Sequence, residues 1–386
     1  MGDANRVRLS YVEEVTFGVT PSANLTDVRH TGESLGLDTS TVTSSEIRSD
    51  RQIVDVARSS IQGAGDISFE MSYGAHDDFF EAGLQSAGWS SPVTAGPAAT
   101  FAVVAGSGDY QITDSGSGFG SFVVNQWVKV SGFATAANNG YGKITAAAAG
   151  AITIKGNGNG VNESAGASVT VVMGAQIVNG TTEKSFSIEK HFEDLTTTYE
   201  LLQGMSVDAI NLSVVADQII TGSVSFMGKD AQGDTSSAGT GYVAAPDNEV
   251  MNAVDDVTRI LVDYADFAST QITFATVNNL RPKNQIAELG PIDIGSGTFN
   301  VTGTLQAYFE DNTEMDQYRN FDNVSISIVF EDGAGNAYVI DLPRGNFTSG
   351  RSVAGGVNTD VIADMAFEAF RDPTEDITMR IARFVG

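Results

Sequence analysis

IRSDRQIVDV, residues 47–56, returns in altered form as LRPKNQIAEL, residues 280–289. In that alignment Ile47 meets Leu280, Arg48 meets Arg281, Gln52 meets Gln285, Ile53 meets Ile286, Asp55 meets Glu288 and Val56 meets Leu289, all at a spacing of 280 − 47 = 233. Six matches in one register make an internal duplication the first hypothesis about this chain. The segment mixes Arg, Asp and Gln with isolated Ile and Val, so it cannot bury itself on its own domain. It fits an extended arm, with a solvated loop as the plain alternative.

The repeat extends past the arm. Ile67, Phe69, Met71 and Tyr73 alternate with Ser68, Glu70 and Ser72, which predicts a half-buried strand, and Phe69 aligns with Val301 of FNVTGTL at a spacing of 232. Phe80, Leu84 and Ala87 then recur at helical spacing behind a D-x-x-E start at Asp78 and Glu81, which predicts a helix over 76–88. Asp311 and Glu314 repeat that start at 233 and predict a second, more polar helix over 311–322. Beyond the helices SIEKHFED (187–194) aligns with SIVFED (327–332) at a spacing of only 138, and Ile220, Gly222, Val224 and Phe226 align with Val361, Ala363, Met365 and Phe367 at 141. The fall from 233 to 138 places some 95 extra residues in the first copy alone.

Those spacings divide the chain. The first copy occupies 1–89 and 183–231, an insertion fills 90–182, a Gly/Ser/Thr-rich linker (QGDTSSAGTGYVAAP) covers 232–246, and the second copy runs over 247–386. Inside the insertion GSGDY, DSGSGFGS, ANNGYG and KGNGNG punctuate short strands such as QWVKVS, AITIK and SVTVV, which predicts a small antiparallel barrel or sandwich. The linker composition predicts a flexible join. The fold class that follows is mainly β.

Composition narrows the function. The 386 residues include no Cys and only His30, His76 and His191, so disulfides, thiolate metal sites and histidine clusters are out of reach. A formal net charge of −27 argues against a reader of nucleic acid, which needs Lys and Arg against phosphates. Neither a membrane-spanning run nor a signal peptide is expected. GESLG (32–36) has the letters of a nucleophile elbow around Ser34, but the β-favouring LDTSTVTSS follows it where a helix should start. Asp255-Asp256 and Glu331-Asp332 lack the D-x-D-x-D-G frame of a calcium loop and fit solvated turns. No catalytic, cofactor or metal residue is assigned.

The run SSEIRSDRQIVDVARSSIQGAGDISFEMSYGAHDDFFEAGL, residues 44–84, resembles the tail tube (major tail) proteins of long-tailed bacteriophages. The resemblance implies two tandem β-sandwich domains, each with a flanking helix and a long hairpin arm, and a small all-β domain inserted on the outside as a dispensable decoration. It implies a structural virion protein that is not an enzyme, assembled in the host cytoplasm into the tail as stacked rings through which double-stranded DNA passes without specific binding. Implied partners are further copies of itself and the tape-measure, tail terminator and distal tail proteins, with no membrane and no cofactor. Arm residues expected between subunits are Glu46, Ile47, Arg48, Asp50, Arg51 and Gln52 in one copy, and Leu280, Arg281, Lys283, Asn284, Gln285 and Ile286 in the other. Single-domain relatives build six-membered rings, so two domains per chain imply a trimer with pseudo-sixfold symmetry and, from the acidity, a net negative lumen. A carbohydrate-binding adhesin or baseplate module is the competing reading, and an enzyme of unrecognised type a third.

Overall fold

The computed structural model describes residues 2–386. The first half contains β1 (Val7–Glu13), β2 (Gly36–Thr43), β3 (Val56–Glu70), α1 (Asp77–Gly83), β4 (Phe186–Phe192), β5 (Tyr199–Val215) and β6 (Thr221–Met227). The second contains β7 (Val257–Val262), β8 (Ser269–Val277), β9 (Asn300–Tyr308), α2 (Thr313–Asn320), β10 (Val324–Glu331), β11 (Ala337–Ala354) and β12 (Val361–Ala369), and β13 (Arg380–Phe384) follows. The protein is mainly β, as its alternating strands predict.

The strands of the first half pair antiparallel in the order β1–β4–β5–β6–β3–β2. Those of the second repeat it as β7–β10–β11–β12–β9–β8. Even the irregularities recur. The β4–β5 ladder slips between Phe186 and Ile188 and the β10–β11 ladder between Val324 and Ile326. The β5–β6 ladder slips between Val207 and Ala209, and the β11–β12 ladder between Phe347 and Ser349. A bulge re-aims every residue beyond it, so matching bulges fix the true equivalences and uphold the 138 and 141 spacings.

They overturn the spacings of 232 and 233. Phe69 pairs with Gly222, whose equivalent Ala363 pairs with Ala307, so Phe69 corresponds to Ala307 and not to Val301. The two registers differ by an even number, and a strand with period two keeps its inward face after an even slip. Alternation therefore could not tell them apart: Phe69 and Val301 are both buried. On the flanking pairs, Gly36 with Ala64 and Ala275 with Thr302, the ascending side of the arm is offset by 239 and the descending side by 238. Ile47 then corresponds to Ile286, not to Leu280. Both lie at their arm's tip, 97% and 95% exposed, where no packing disciplines a sequence match.

The halves meet edge to edge, β5 pairing with β8, and one hydrophobic core runs through both. Several local expectations are corrected. The helices are shorter than the predicted 76–88 and 311–322, because Gln85 and Phe321 take left-handed φ values of 50° and 56° and end them; Asp78 and Glu81 do not cap, Asp78 accepting a hydrogen bond from Tyr11 (2.7 Å) and Glu81 pairing with Lys184. The 232–246 segment is no free tether. Asp230–Asp234 pairs with β5 and Tyr242–Val243 with Leu25 and Thr26, while the carboxylate of buried Glu189 accepts bonds from Ser237, Ala238 and Tyr242 at 2.7–3.0 Å. Ala175–Val178, read as part of the insertion, pairs instead with β13.

Residues 93–173 form a separate antiparallel sheet of seven strands around their own core, which includes Phe101, Tyr110, Ile112, Val128 and Ile152.

Candidate assembly surfaces

The joint between the halves is a continuous strand ladder. Seven residues of β5, Ala209–Val215, pair with Val277–Gln271 of β8. Ala216 N–H donates to Thr270 C=O (3.0 Å) and Asn278 N–H to Asp208 C=O (2.7 Å), so the even-numbered residues of this stretch of β8 turn their main chain toward β5. The buried Asn278 amide ties three elements, donating to Gly83 C=O at the end of α1 (2.9 Å) and to Val207 C=O (3.0 Å).

Through that joint eight strands form one sheet in the order β2–β3–β6–β5–β8–β9–β12–β11. Its inward face packs the core. Across the other face one row of paired residues reads Ser68, Ser223, Asn211, Ala275, Thr302 and Glu368. The neighbouring row reads Glu70, Thr221, Ser213, Thr273, Thr304 and Ala366. This hydroxyl-rich face is hollowed into a groove of about 790 Å³. Asp66, Glu70, Asp364 and Glu368 lie on it, with Arg351 on β11 the basic residue in these rows. Among the described residues the sheet ends in two unpaired edges, the outer side of β2 and the outer side of the C-terminal end of β11.

The arms stand out from this sheet. Glu46, Ile47, Arg48, Asp50, Arg51 and Gln52 are all exposed and form a self-closed tip. The Arg48 guanidinium grips Asp50 through two hydrogen bonds of 2.7 and 3.0 Å and holds that carboxyl below its usual range, while Gln52 N–H also donates to Asp50. Arg281, Lys283, Asn284, Gln285 and Ile286 are likewise exposed, with Lys283 paired across its own ribbon to Asp293 (2.5 Å). Leu280 is the exception. It sits half-buried at the base of the arm, its N–H donating to Asp208 of β5 (2.9 Å). Further along, Leu289 C=O accepts from Ile61 N–H of β3 (3.1 Å), so the second arm leans on the first half.

The seven-stranded sheet docks on the second half. Trp127 and Tyr141 share a core with Leu261, Val329, Val339 and Phe384. Beneath them Lys143 pairs with Asp341 (2.8 Å) and Glu375 (2.6 Å), and Arg380 pairs with the same two acids (3.0 and 2.9 Å). Burial alone would raise the Asp341 carboxyl, but Lys143 and Arg380 hold it below its usual range. The insertion, expected as a dispensable outer decoration, is thus joined by a neutral buried quartet, and removing it would strip Asp341 of one of its two cations.

Other candidates resolve into structure. Ser34 sits between two strands, its hydroxyl accepting from Asp66 N–H (2.9 Å), with no helix behind it. Asp256 and Asp332 close turns, on Asn252 N–H (2.7 Å) and on Ala334 and Asn336 N–H (2.9 and 2.8 Å). Neither Trp offers a flat sugar platform: Trp127 is buried and Trp89 lies under the Arg383 guanidinium at 4.2 Å. Among the described residues no group of His, Asp and Glu is placed to hold a metal ion, and no helix is long and apolar enough to cross a membrane.

Sequence reading missed Glu33, Lys190 and Glu200, a charged trio at the β2 edge. A signal existed, since the 138 spacing sets Lys190 against Ile328. A profile describing phage tail tube proteins matches residues 4–369. No curated protein matches the chain.

Proposed function

The chain belongs to the phage tail tube protein family, and from that premise we propose that it polymerises as stacked rings of three chains, each chain supplying two of six tube units around a channel for double-stranded DNA. Membership makes it a structural component of the virion tail that associates with itself and with other tail components. The observation that carries the finer reading is the eight-stranded sheet, which joins two equivalent units edge to edge and leaves two different edges open. When one of these edges pairs with the other, the contact is head to tail, and such contacts close when the rotation per step divides a full turn.

Three chains of eight strands give about 24 around the ring. At about 4.8 Å per strand the wall measures roughly 115 Å around, and two side-chain layers of about 5 Å leave a bore of roughly 27 Å. A double helix passes through such an opening. The hydroxyl-rich face, with its acids and sparse bases, is the bore wall in this arrangement. Hydroxyls stay hydrated and carboxylates repel phosphates, and Asp66, Glu70, Asp364 and Glu368 against Arg351 leave the wall little with which to grip DNA. The first arm reaches the neighbouring chain or ring as the second arm reaches the first half, and the seven-stranded sheet lies outside. Tape-measure, terminator and distal tail proteins meet the bore and the end rings.

Electron cryo-microscopy of purified polymer tests this. Tubes with three chains and three small sheets per ring are expected. Six chains per ring would refute the trimer, and discrete particles at all concentrations would refute polymerisation.

A further inference from the structure

The internal joint contains a template for a contact the isolated chain does not make. The edge of β8 that β5 covers corresponds, at an offset of 239, to Gly32–Asp38 on the outer side of the first half's sheet. The stretch of β5 that does the covering, Ala209–Val215, corresponds at 140 to Ser349–Gly355, the end of β11 and the residue after it. Both corresponding edges are open in the single chain.

The open edge on the first half is also guarded. Ser34 N–H bonds inward to Asp66 C=O, so the main chain of Leu35 turns outward. Its N–H donates to the Glu33 carboxylate (2.8 Å), and its C=O accepts from the Lys190 ammonium (2.5 Å). Lys190 in turn pairs with Glu33 (3.3 Å) and Glu200 (2.9 Å). In the second half the equivalents of Glu33, Lys190 and Glu200 are Ile272, Ile328 and Ile340, all buried. There Phe274, the equivalent of Leu35, needs no side-chain substitute, because its strand partner Leu212 is in the same chain. Charge stands where the edge is open and isoleucine where it is covered, the pattern expected if side chains stand in for a missing strand.

We propose that Gly32–Asp38 is closed by Ser349–Gly355 of a second copy of this chain, in the register of the internal joint, and that Glu33 and Lys190 are the guard this strand displaces. This rests on the tail tube reading. The register sets Ser352 of one protomer against Leu35 of its partner, its main chain replacing the Glu33 carboxylate and the Lys190 ammonium. Arg351 falls opposite Gly36, where a side chain meets nothing within 4 Å, and Asp38 lies one diagonal step away on the same face to receive the guanidinium. The Arg351–Gly36 pair copies the internal Asn211–Ala275 pair, whose main chains turn away from each other; such pairs have the shortest Cα separation in an antiparallel ladder, about 4.5 Å, within disulfide reach.

The chain has no native Cys, so disulfide trapping in assembled protein is clean. G36C with R351C should give, on mild oxidation, a covalent species of closed multiples of the chain on a non-reducing denaturing gel. S40C with R351C, four residues and about 13 Å out of register, should give none. N211C with A275C, within one chain, shows that the geometry oxidises. Tubes that form without the first crosslink, or that crosslink through position 40 instead, would overturn the register while leaving the tube reading intact. Wild-type protein that never polymerises would overturn the tube reading itself. The guard is read separately: E33I with K190I, the second half's residues, should fold and lower the critical concentration for polymerisation about tenfold, and an unchanged or higher value would overturn that role.

Discussion

The two helices occupy the same place in the repeated strand scheme and share almost no character. In α1 six of seven residues are buried, Phe79 and Phe80 among them, whereas α2 buries Met315 alone. The difference lies in what comes next along the sheet. The second half closes over α1: Tyr338 and Arg383 bond Asp77 at its start, and Asn278 bonds Gly83 at its end. Among the described residues no further unit plays that part for α2, and Phe321 at its end is 67% exposed. The lesson is that a duplicated unit diverges according to whether its neighbour is covalently guaranteed. Permanent burial selects aromatic and isoleucine side chains; a surface that must also survive in water keeps charge.

The comparison breaks most severely at the buried quartet, which exists only where the seven-stranded sheet meets the second half. Asp341→Ala leaves Lys143 and Arg380 with one acid between them, and loss of one partner of a buried ion pair costs about 3–5 kcal/mol. Thermal or urea unfolding should report a loss of that size. Val339→Ala, in the apolar part of the same contact, should cost less.

The next effect contrasts the residues that precede the helices. His76 before α1 is buried and stacked on Phe69 at 4.1 Å, with its Nε2 facing the Arg29 carbonyl and the Arg29 charge nearby, while Asn312 before α2 is exposed. Burial pushes the His76 pKa down to about 4. Between the unfolded value near 6.5 and that folded value, the unfolded chain takes up a proton the folded chain refuses. His76 therefore contributes nothing adverse above about pH 6.5, and its penalty grows as pH falls toward 4, reaching about 3 kcal/mol. His76→Asn should remove that part of the acid sensitivity, seen as a smaller stability difference between pH 7 and pH 4 than in wild type. An equal difference in both proteins would contradict the assignment.

Closed and open joints can be compared at one position. Asn278→Ala strips hydrogen bonds from two buried carbonyls and should cost about 2 kcal/mol, whereas its equivalent on the open edge, Thr39→Ala, should change folding stability by less than about 0.5 kcal/mol. Chemical denaturation of both variants checks this. The smallest expected folding effect belongs to the first arm. Arg48→Ala removes an exposed pair with Asp50 and should leave the unfolding transition where it is in wild type, while polymer yield by sedimentation falls. Undiminished yield would mean that the arm tip carries no contact between subunits.

Alternating residues by themselves determined the β class, the inward faces of strands such as Ile67 to Met71, and the duplication. The 138 and 141 offsets were legible because β4 and β10 are mostly buried and β6 and β12 alternate buried apolar residues with more exposed ones, and such buried residues cannot drift. The arm offset was not, because Ile47 and its true equivalent Ile286 answer to no packing and an even slip along β3 leaves every face unchanged. The Gly/Ser/Thr composition of 232–246 likewise said nothing of Glu189, whose carboxylate fastens that segment from 48 to 53 residues upstream. Tertiary structure alone decided which edges are covered and which stay open. That property belongs to no residue: the same strand is finished in one half and unfinished in the other, depending on which strand the chain can bring alongside it, and Glu33 with Lys190 becomes intelligible only beside Ile272 with Ile328 in the folded register.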